Sequence, residues 1–440
     1  MKTKERIELA KWAVDYCLKS GADESGIAIS NSRDIEIQYR DKKLEKLQES
    51  VQNSLDLQIY VNHKYSSHST SDLRRDELKK FIEEAVSATK YLSEDQFRSL
   101  PDTKLYPTKL DLDLKIKDTH YDKIESDERV KIASEIEKEA MSVSNKIIST
   151  TSGYYDTYYE NVRIHSNGFE GESSGTVFSA GAQVTVNDEG GGRPEDWFYA
   201  STHFKNEIPS PEILGKEAAK RALRKIGQKK IESGNYMMLV ENRTSARLLS
   251  VFSGAITARS IQQKSSFLDG MLDKKIASEK LTVIDNPFLE KGMGSRLFDG
   301  EAIAAKKRVV IDKGILKCYL VDNYYGKKLG WEPNGGSVSN VVLEYGGKSF
   351  EELLKTIDKG IVITGFIGGN SNSTTGDFSF GIVGLYVEKG QIIKPVNEMN
   401  ISGNAREVWN QLIEVGNDPY VYSSWRMPSL LFDGIQFSGI

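Results

Sequence analysis

The sequence predicts an α+β chain of three units, two mixed units at residues 1–105 and 106–232 and a β-rich C-terminal domain at 233–440. At 440 residues the chain exceeds the size at which a single hydrophobic core usually stops growing. Up to about residue 232, amphipathic helical periods alternate with strand-like runs. Beyond Tyr236 the strand-like runs, glycines and asparagines dominate and helical periods become few.

The first segment (MKTKERIELAKWAVDYCLKSG) places apolar residues at helical spacing and ends at Gly21, a helix stop. Residues 27–30, 34–40, 54–60 and 65–69 read as strands, and Asn62-His63 as the tight turn of a hairpin. An amphipathic helix is expected at 76–91. The polar stretch with Pro101 and Pro107 then marks the first boundary. The second unit opens with a helix at about 127–145 and continues with strand-like segments at 148–160, 161–167 and 174–186. The run DEGGGRPED (188–196) lacks the Gly-Lys-Ser signature of a phosphate loop and reads as a mobile connection. A helix at 211–226 ends in the basic run RALRKIGQKK (221–230), where cations suit the helix dipole, and a solvated helix end is expected. The third unit begins with a short buried strand, YMMLV (236–240), and a helix at about 244–259. Its later helical periods lie at 350–357 and 405–413.

Hydrophobic residues at 38% and charged residues at 28% describe a soluble globular chain. A net charge of −4 argues against direct nucleic-acid binding, which needs a basic face. No stretch approaches 18 apolar residues, so no membrane span is expected. The N-terminal segment has no unbroken apolar core of a signal peptide, and the two cysteines make no disulfide framework; a cytoplasmic location follows.

All five histidines (His63, His68, His120, His165, His203) precede residue 204. A zinc hydrolase needs about three protein ligands, mostly imidazole, so the C-terminal half cannot build such a site alone. His63 and His68 are five residues apart, but on a hairpin that gap spans roughly 16 Å. Asp299 and Glu301 flank Gly300 and read either as an acid/base pair or, more simply, as a turn. Ser265, Ser266, Ser423 and Ser424 have no downstream histidine to activate them. Cys17 and Cys318 read as buried thiols, and the Gly/Asn clusters as turns and bulges.

Several motifs in order resemble the TldD/PmbA (TldE) family, once described as modulators of DNA gyrase and now regarded as components of a metallopeptidase complex. They are HSNGF (165–169), LFDGE (297–301), GILKCYL (314–320), NGGSVSN (334–340), GIVITG (360–365), TGDFS (375–379) and GND (416–418). In the TldD branch of that family, the helix opening the C-terminal domain resembles a His-Glu-x-x-x-His zinc motif after Leu-Leu. Two imidazoles at that spacing lie about 140° apart on a regular helix, so such a helix must bend to bring both to one ion. Aligned on Leu248, Leu249 and Gly254, this sequence reads LLSVFSGA. Ser250 and Ala255 stand at the histidine positions and Val251 at the glutamate. The TldD branch also uses a cysteine near its C-terminus, where this chain reads YSSWRMP (422–428). The pattern resembles the PmbA/TldE branch.

The resemblance implies a non-catalytic subunit of a TldD–TldE-type metallopeptidase complex, with no catalytic residue, metal ligand or cofactor in this chain and zinc held only by the catalytic paralogue. The partner would be that paralogue in a heterodimer, or a second copy in a homodimer when the chain is alone. Substrates would be unfolded peptides, and the family is linked to peptide-antibiotic maturation and antitoxin turnover. Loop residues Asp299, Glu301, Asn340, Asp377 and Asp418 are candidates for a peptide groove or for structural turns. Two alternatives stand: a stand-alone homodimeric binding protein that modulates DNA gyrase, and an atypical metallopeptidase with Asp and Glu ligands. The family usually has glycine where Ala302 follows LFDGE, which singles out that loop.

Overall fold

The computed structural model describes residues 2–440. Its N-terminal half is built from α1 (Thr3–Lys19), β1 (Glu24–Arg40), β2 (Lys43–Val61), β3 (Lys64–Thr70), α2 (Arg75–Thr89), α3 (Ser126–Met141), β4 (Ile147–His165), β5 (Glu170–Val186), β6 (Glu195–Thr202) and α4 (Pro211–Leu223). The six strands form one antiparallel sheet in the order β3-β2-β1-β4-β5-β6. Side chains alternate between faces along a strand. Ile27, Ile29, Ile35 and Ile37 therefore share one face of β1, and Tyr154, Val162 and Ile164 share one face of β4. Helices α1 and α2 cover one half of that face, packing Leu9, Cys17 and Ile82 on Ile27, Leu57 and Ile164. Helices α3 and α4 cover the other half, packing Ile136 and Ala218 on Ile37, Tyr154 and Phe178.

The unit boundary expected near residue 105 falls in the segment that crosses between these two halves. The strands run longer than the sequence pattern predicts, since 27–30 and 34–40 are both parts of β1, and 148–160 and 161–167 both lie in β4. The polar residues Asn31, Ser32 and Arg33 broke the pattern, but each is carried by partners on both sides, β2 and β4. The Asn62-His63 turn adopts positive φ at both residues (48° and 60°), the two-residue hairpin geometry.

The C-terminal domain comprises β7 (Gly234–Val240), α5 (Asn242–Leu249), α6 (Val251–Ala255), α7 (Ala258–Gln262), β8 (Val283–Asp285), β9 (Arg308–Asp312), β10 (Ile315–Leu316), α8 (Asn323–Leu329), β11 (Val341–Leu343), α9 (Phe350–Lys355), β12 (Lys359–Phe366), β13 (Asn370–Ser371), β14 (Asp377–Glu388), β15 (Gln391–Asn404), α10 (Ala405–Asn410), β16 (Leu412–Val415), β17 (Trp425–Arg426) and β18 (Leu430–Ser438). β7 pairs with β12 and β18, β12 with β14, β14 with β15, and β15 with β18, so these five strands close on themselves. Closure leaves no long open edge in this sheet. Successive residues of β7 enter different cores: Met238 and Val240 pack with α5–α7, whereas Leu239 packs with Leu353 and Ile357 at and beyond the end of α9. A smaller sheet runs β10-β9-β8-β11-β17.

A fully buried cluster fixes α3 to the sheet. Asp156 of β4 accepts from Arg129 Nε (2.6 Å), Tyr121 Oη (2.7 Å) and Tyr154 Oη (2.9 Å). Removing one partner of a buried ion pair leaves an uncompensated charge, whereas replacing both is far better tolerated. Arg129→Met is expected to destabilise the N-terminal half by about 3 kcal/mol, with Arg129→Met/Asp156→Asn recovering much of that loss. Chemical denaturation of the three proteins checks it.

Candidate functional site

The helix expected at 244–259 is divided into α5, α6 and α7, with Ser250 joining the first two and Ile256-Thr257 the last two. Leu248 and Leu249 are 1% and 4% exposed and pack in the main core of the domain. Val251 and Ala255, at 4% and 0%, lie in that same apolar core. Ser250 is half-buried and its Oγ donates to the Arg247 carbonyl (2.7 Å). The three positions thus offer one hydroxyl, already engaged, and two hydrocarbon side chains. Zinc takes imidazole, thiolate or carboxylate donors. Among the described residues no group of three or more His, Cys, Asp or Glu stands together to hold a metal ion, and this donor set does not fit zinc.

Ser250 borders a groove of about 710 Å³ between the N-terminal sheet and the C-terminal domain. Its walls include Trp197 of β6, Arg243 and Arg247 of α5, Phe366 at the end of β12, and Trp425. Trp197 is 46% exposed, and the Arg243 guanidinium lies 4.2 Å from its ring centroid. A buried ion network adjoins the groove, and Asp196, Lys225 and Arg243 of that network line it. Asp196 pairs with Lys225 (3.1 Å) and Arg243 (3.1 Å), and Glu241 pairs with Arg221 and with Arg224 (2.8 Å). Burial pushes the Asp196 and Glu241 carboxyls upward. The surrounding cations (Lys225, Arg243 and Arg221; Arg221 and Arg224) more than offset it and hold both below their ordinary values. The basic run at 221–230 is therefore not a solvated helix end. Arg221 is 7% exposed and ties α4 to the residue before α5, a long-range pairing that no local pattern reveals.

The loop candidates are dispersed. Asp299 and Glu301 lie where the C-terminal domain meets β2, β4 and the crossing segment. Asp299 Oδ1 accepts from the backbone of Glu301 (2.9 Å) and Ile303 (3.0 Å). That turn places Ala302 at φ 66°, a left-handed conformation that glycine adopts most easily. Glu301 Oε2 accepts from Asn323 N (2.9 Å), beside Tyr60 and Arg98 in a cavity of about 40 Å³. Burial, reinforced by Asp299 and Asp322, pushes the Glu301 carboxyl from 4.5 to about 7 against the Asn323 bond and Lys327. Nearby His165, from HSNGF, bonds Tyr106 Oη (2.9 Å) through Nδ1; burial and then Arg163 pull it down to about 3. Asn340 pins three backbone or hydroxyl groups, at Gly294, Asn286 and Ser295. Asp377 is exposed and bonded by Asn404, while Asp418 accepts two bonds from Ser429. None of these five lines the groove.

Its wall residues Trp197, Arg243, Arg247, Phe366 and Trp425 come from four separate segments, and no motif spacing joins them. The only sequence signal was a tryptophan directly after the DEGGGRPED connection.

Comparison with known proteins bears on the whole chain. Sequence profiles of the PmbA/TldA metallopeptidase match in three parts: domain 1 at residues 27–89, the central domain at 119–226 and the C-terminal domain at 233–439. A Metalloprotease PmbA of Escherichia coli O157:H7 is 29% identical over 429 residues, covering 96% of this chain and 94% of its own. A Metalloprotease PmbA homolog of Buchnera aphidicola is 30% identical, covering 94% and 92%. Among solved structures, a Bacteroides thetaiotaomicron protein named as a candidate modulator of DNA gyrase superposes with TM-score 0.97 at 41% identity over the full length of both chains. TldE from Thermococcus kodakarensis shares the fold, with TM-score 0.87 at 20% identity over 98% and 100% of the two chains.

The raised Glu301 carboxyl makes stability depend on pH. Its folded value of about 7 lies above its ordinary 4.5. The folded state therefore holds the proton more tightly, and the contribution is full below about 4.5 and lost as pH rises through about 7. At ~1.4 kcal/mol per unit the loss is bounded at roughly 3 kcal/mol. Thermal melts of wild type and Glu301→Gln from pH 5 to 8 are expected to diverge across this window, the variant losing less stability on the alkaline side.

Proposed function

Because the chain belongs to the PmbA/TldD metallopeptidase family, we propose that it is a non-catalytic subunit of a metallopeptidase complex acting on unfolded or extended peptides, with a TldD-like paralogue that carries the zinc ligands as its partner. One observation carries this reading. Leu248 and Leu249 keep the helix packed in the core, while Val251 and Ala255 are part of the hydrocarbon itself and Ser250 is engaged by its own helix. Packing is retained at the segment where the donor chemistry is not.

The chain's contribution would then be a wall and a means of holding substrate. The Trp197, Phe366 and Trp425 rings offer apolar surface to an extended peptide, and the exposed Arg247 offers a cation to its carbonyl or carboxylate oxygens. Arg243 is tied down by the Trp197 carbonyl (2.7 Å) and Asp196, so it stiffens the wall rather than reaching out. Such a groove would bind with little side-chain selectivity. Antitoxin turnover or peptide-antibiotic maturation would both suit it.

The name of the Bacteroides relative favours a second reading, a stand-alone binding protein that modulates DNA gyrase. A net charge of −4 directs that reading toward contact with the enzyme rather than its DNA.

The two readings separate on purified protein. Alone, the chain is expected to hold substoichiometric zinc and to lack chelator-sensitive peptidase activity; with the paralogue co-expressed, the pair co-purifies and cleaves unfolded protein. One tight zinc per chain held by the C-terminal domain overturns the subunit reading, and a change in gyrase supercoiling by the chain alone favours the second. Restoring Ser250→His, Val251→Glu and Ala255→His together is expected to give no peptidase, because two of the new polar groups would enter an apolar core and their supporting hydrogen bonds are missing. Turnover assays on the triple variant, with circular dichroism to check its fold, decide this.

A further inference from the structure

Polar side chains from both halves line the cavity of about 40 Å³ at the junction without pairing with one another. The Arg98 guanidinium is sandwiched by rings, its carbon 3.6 Å from the Tyr324 centroid and 4.7 Å from that of Tyr65. Among the described residues its side chain has no hydrogen bond and no ion pair, and the Gln58 amide and Tyr60 hydroxyl have no hydrogen bond either. Gln58 and Tyr60 stand two apart on β2 and so face the same side. Glu301 spends Oε2 on Asn323 N and leaves Oε1 without a donor. None of these polar atoms is sealed in by protein. Polar groups in enclosed places find partners, so an unpaired set around one small space marks a place for an occupant.

Size and charge narrow that occupant. A cavity of about 40 Å³ takes roughly three water-sized groups, the number of heavy atoms in a carboxylate. A cation meets Arg98, which nothing neutralises: Glu301 forms no ion pair with it, and Asp95 beside it is bonded by Tyr324 Oη. A guanidinium stacked on two rings has its plane fixed and its N–H edge free, the arrangement that grips two oxygens at once.

We propose that this cavity binds a small monocarboxylate, whose oxygens accept from the forked N–H groups of Arg98, from Tyr60 Oη and from Gln58 Nε2. Glu301 sets the pH at which it binds. Protonated, it donates to the ligand through its carboxyl; ionised, it repels it. Burial, Asp299 and Asp322 raise its carboxyl to about 7 against the Asn323 bond and Lys327. Across the cavity stand Tyr60, Tyr65 and Arg98, with Glu24 of β1 facing Tyr60 and Arg163 of β4 on the same side. His165, pulled down to about 3, stays neutral there. Because the donors belong to the N-terminal sheet, the segment after α2 and the C-terminal domain, the ligand ties all three together.

Sodium formate is the probe, with sodium chloride at equal ionic strength as the control, and saturation-transfer NMR on the full-length chain is the measurement. Saturable binding is expected at pH 6. Above about 7 the affinity should fall toward tenfold per pH unit, since each anion then takes up one proton while formate itself stays ionised. In Glu301→Gln the affinity should no longer change between pH 6 and 8. Arg98→Gln should weaken binding at least tenfold and Tyr60→Phe about threefold to tenfold, with unchanged circular dichroism spectra. A dipeptide with a free carboxyl that binds more tightly than acetate, and not as its carboxamide, assigns the site to a chain terminus. Acetate binding equally well or better assigns it to a free acid. No saturable formate binding at pH 6 overturns the proposal, as does binding that chloride matches or that a folded Arg98→Gln leaves unchanged. Where Arg98→Gln does not fold, an unaltered affinity in Tyr60→Phe overturns it. A wild-type affinity independent of pH overturns the part given to Glu301.

Discussion

The antiparallel ladder between β1 and β4, from Gly26 opposite His165 to Arg40 opposite Thr151, places everything else in the N-terminal half. Strands this long bury one face in two stretches, on either side of half-buried Asn31, Arg33, Tyr158 and Glu160, and no single helix pair covers both. Two pairs therefore pack side by side on the same face, giving two cores on one sheet. The buried Asp156 cluster locks α3 at a fixed place on that ladder. The junction with the C-terminal domain inherits its position from the same strands. His165 ends β4, and Tyr106, Asp299 and Glu301 gather around it and β2.

The groove is a consequence of where the two halves meet. β6 is the last strand of the sheet, and its carbonyls and Asp196 are claimed by Lys225, Arg243 and Tyr420. These bonds bring α5 alongside β6, and the space between them is the groove that Ser250 borders. Buried ion pairs contribute little net stability compared with an apolar replacement. What they supply here is orientation, since a planar guanidinium held by Asp196 and two carbonyls has one placement relative to Trp197.

The segment 248–255 shows packing and chemistry coming apart. A metal-holding helix must aim polar side chains at one point, whereas this one aims Val251 and Ala255 into hydrocarbon beside Phe252 and Trp409. The core tolerates those residues because they are apolar and small, which lets Leu248 and Leu249 stay in place.

Much of the chain was legible in its residues. The α+β class, the β-rich C-terminal domain and the family followed from periodicity and from motifs such as HSNGF and LFDGE, because each is a local property of a few neighbours. The turn at Asn62-His63 was legible for the same reason. Strand length was not, because Asn31 to Arg33 extend only with β2 and β4 on either side of them, and residues 43–54 only with β1 there to pair with them. The closure of β7, β12, β14, β15 and β18 was also beyond reach, since β7 meets β12 and β18 across more than a hundred residues of chain. The same holds for Arg221, which reads as a solvated helix end and is buried against Glu241. Sequence by itself determined which residues are apolar, which turn, and which ligands are missing from LLSVFSGA. Tertiary structure alone decided which charges are buried together, where the groove runs and which polar groups line one cavity unpaired, because those are properties of what each residue meets across space.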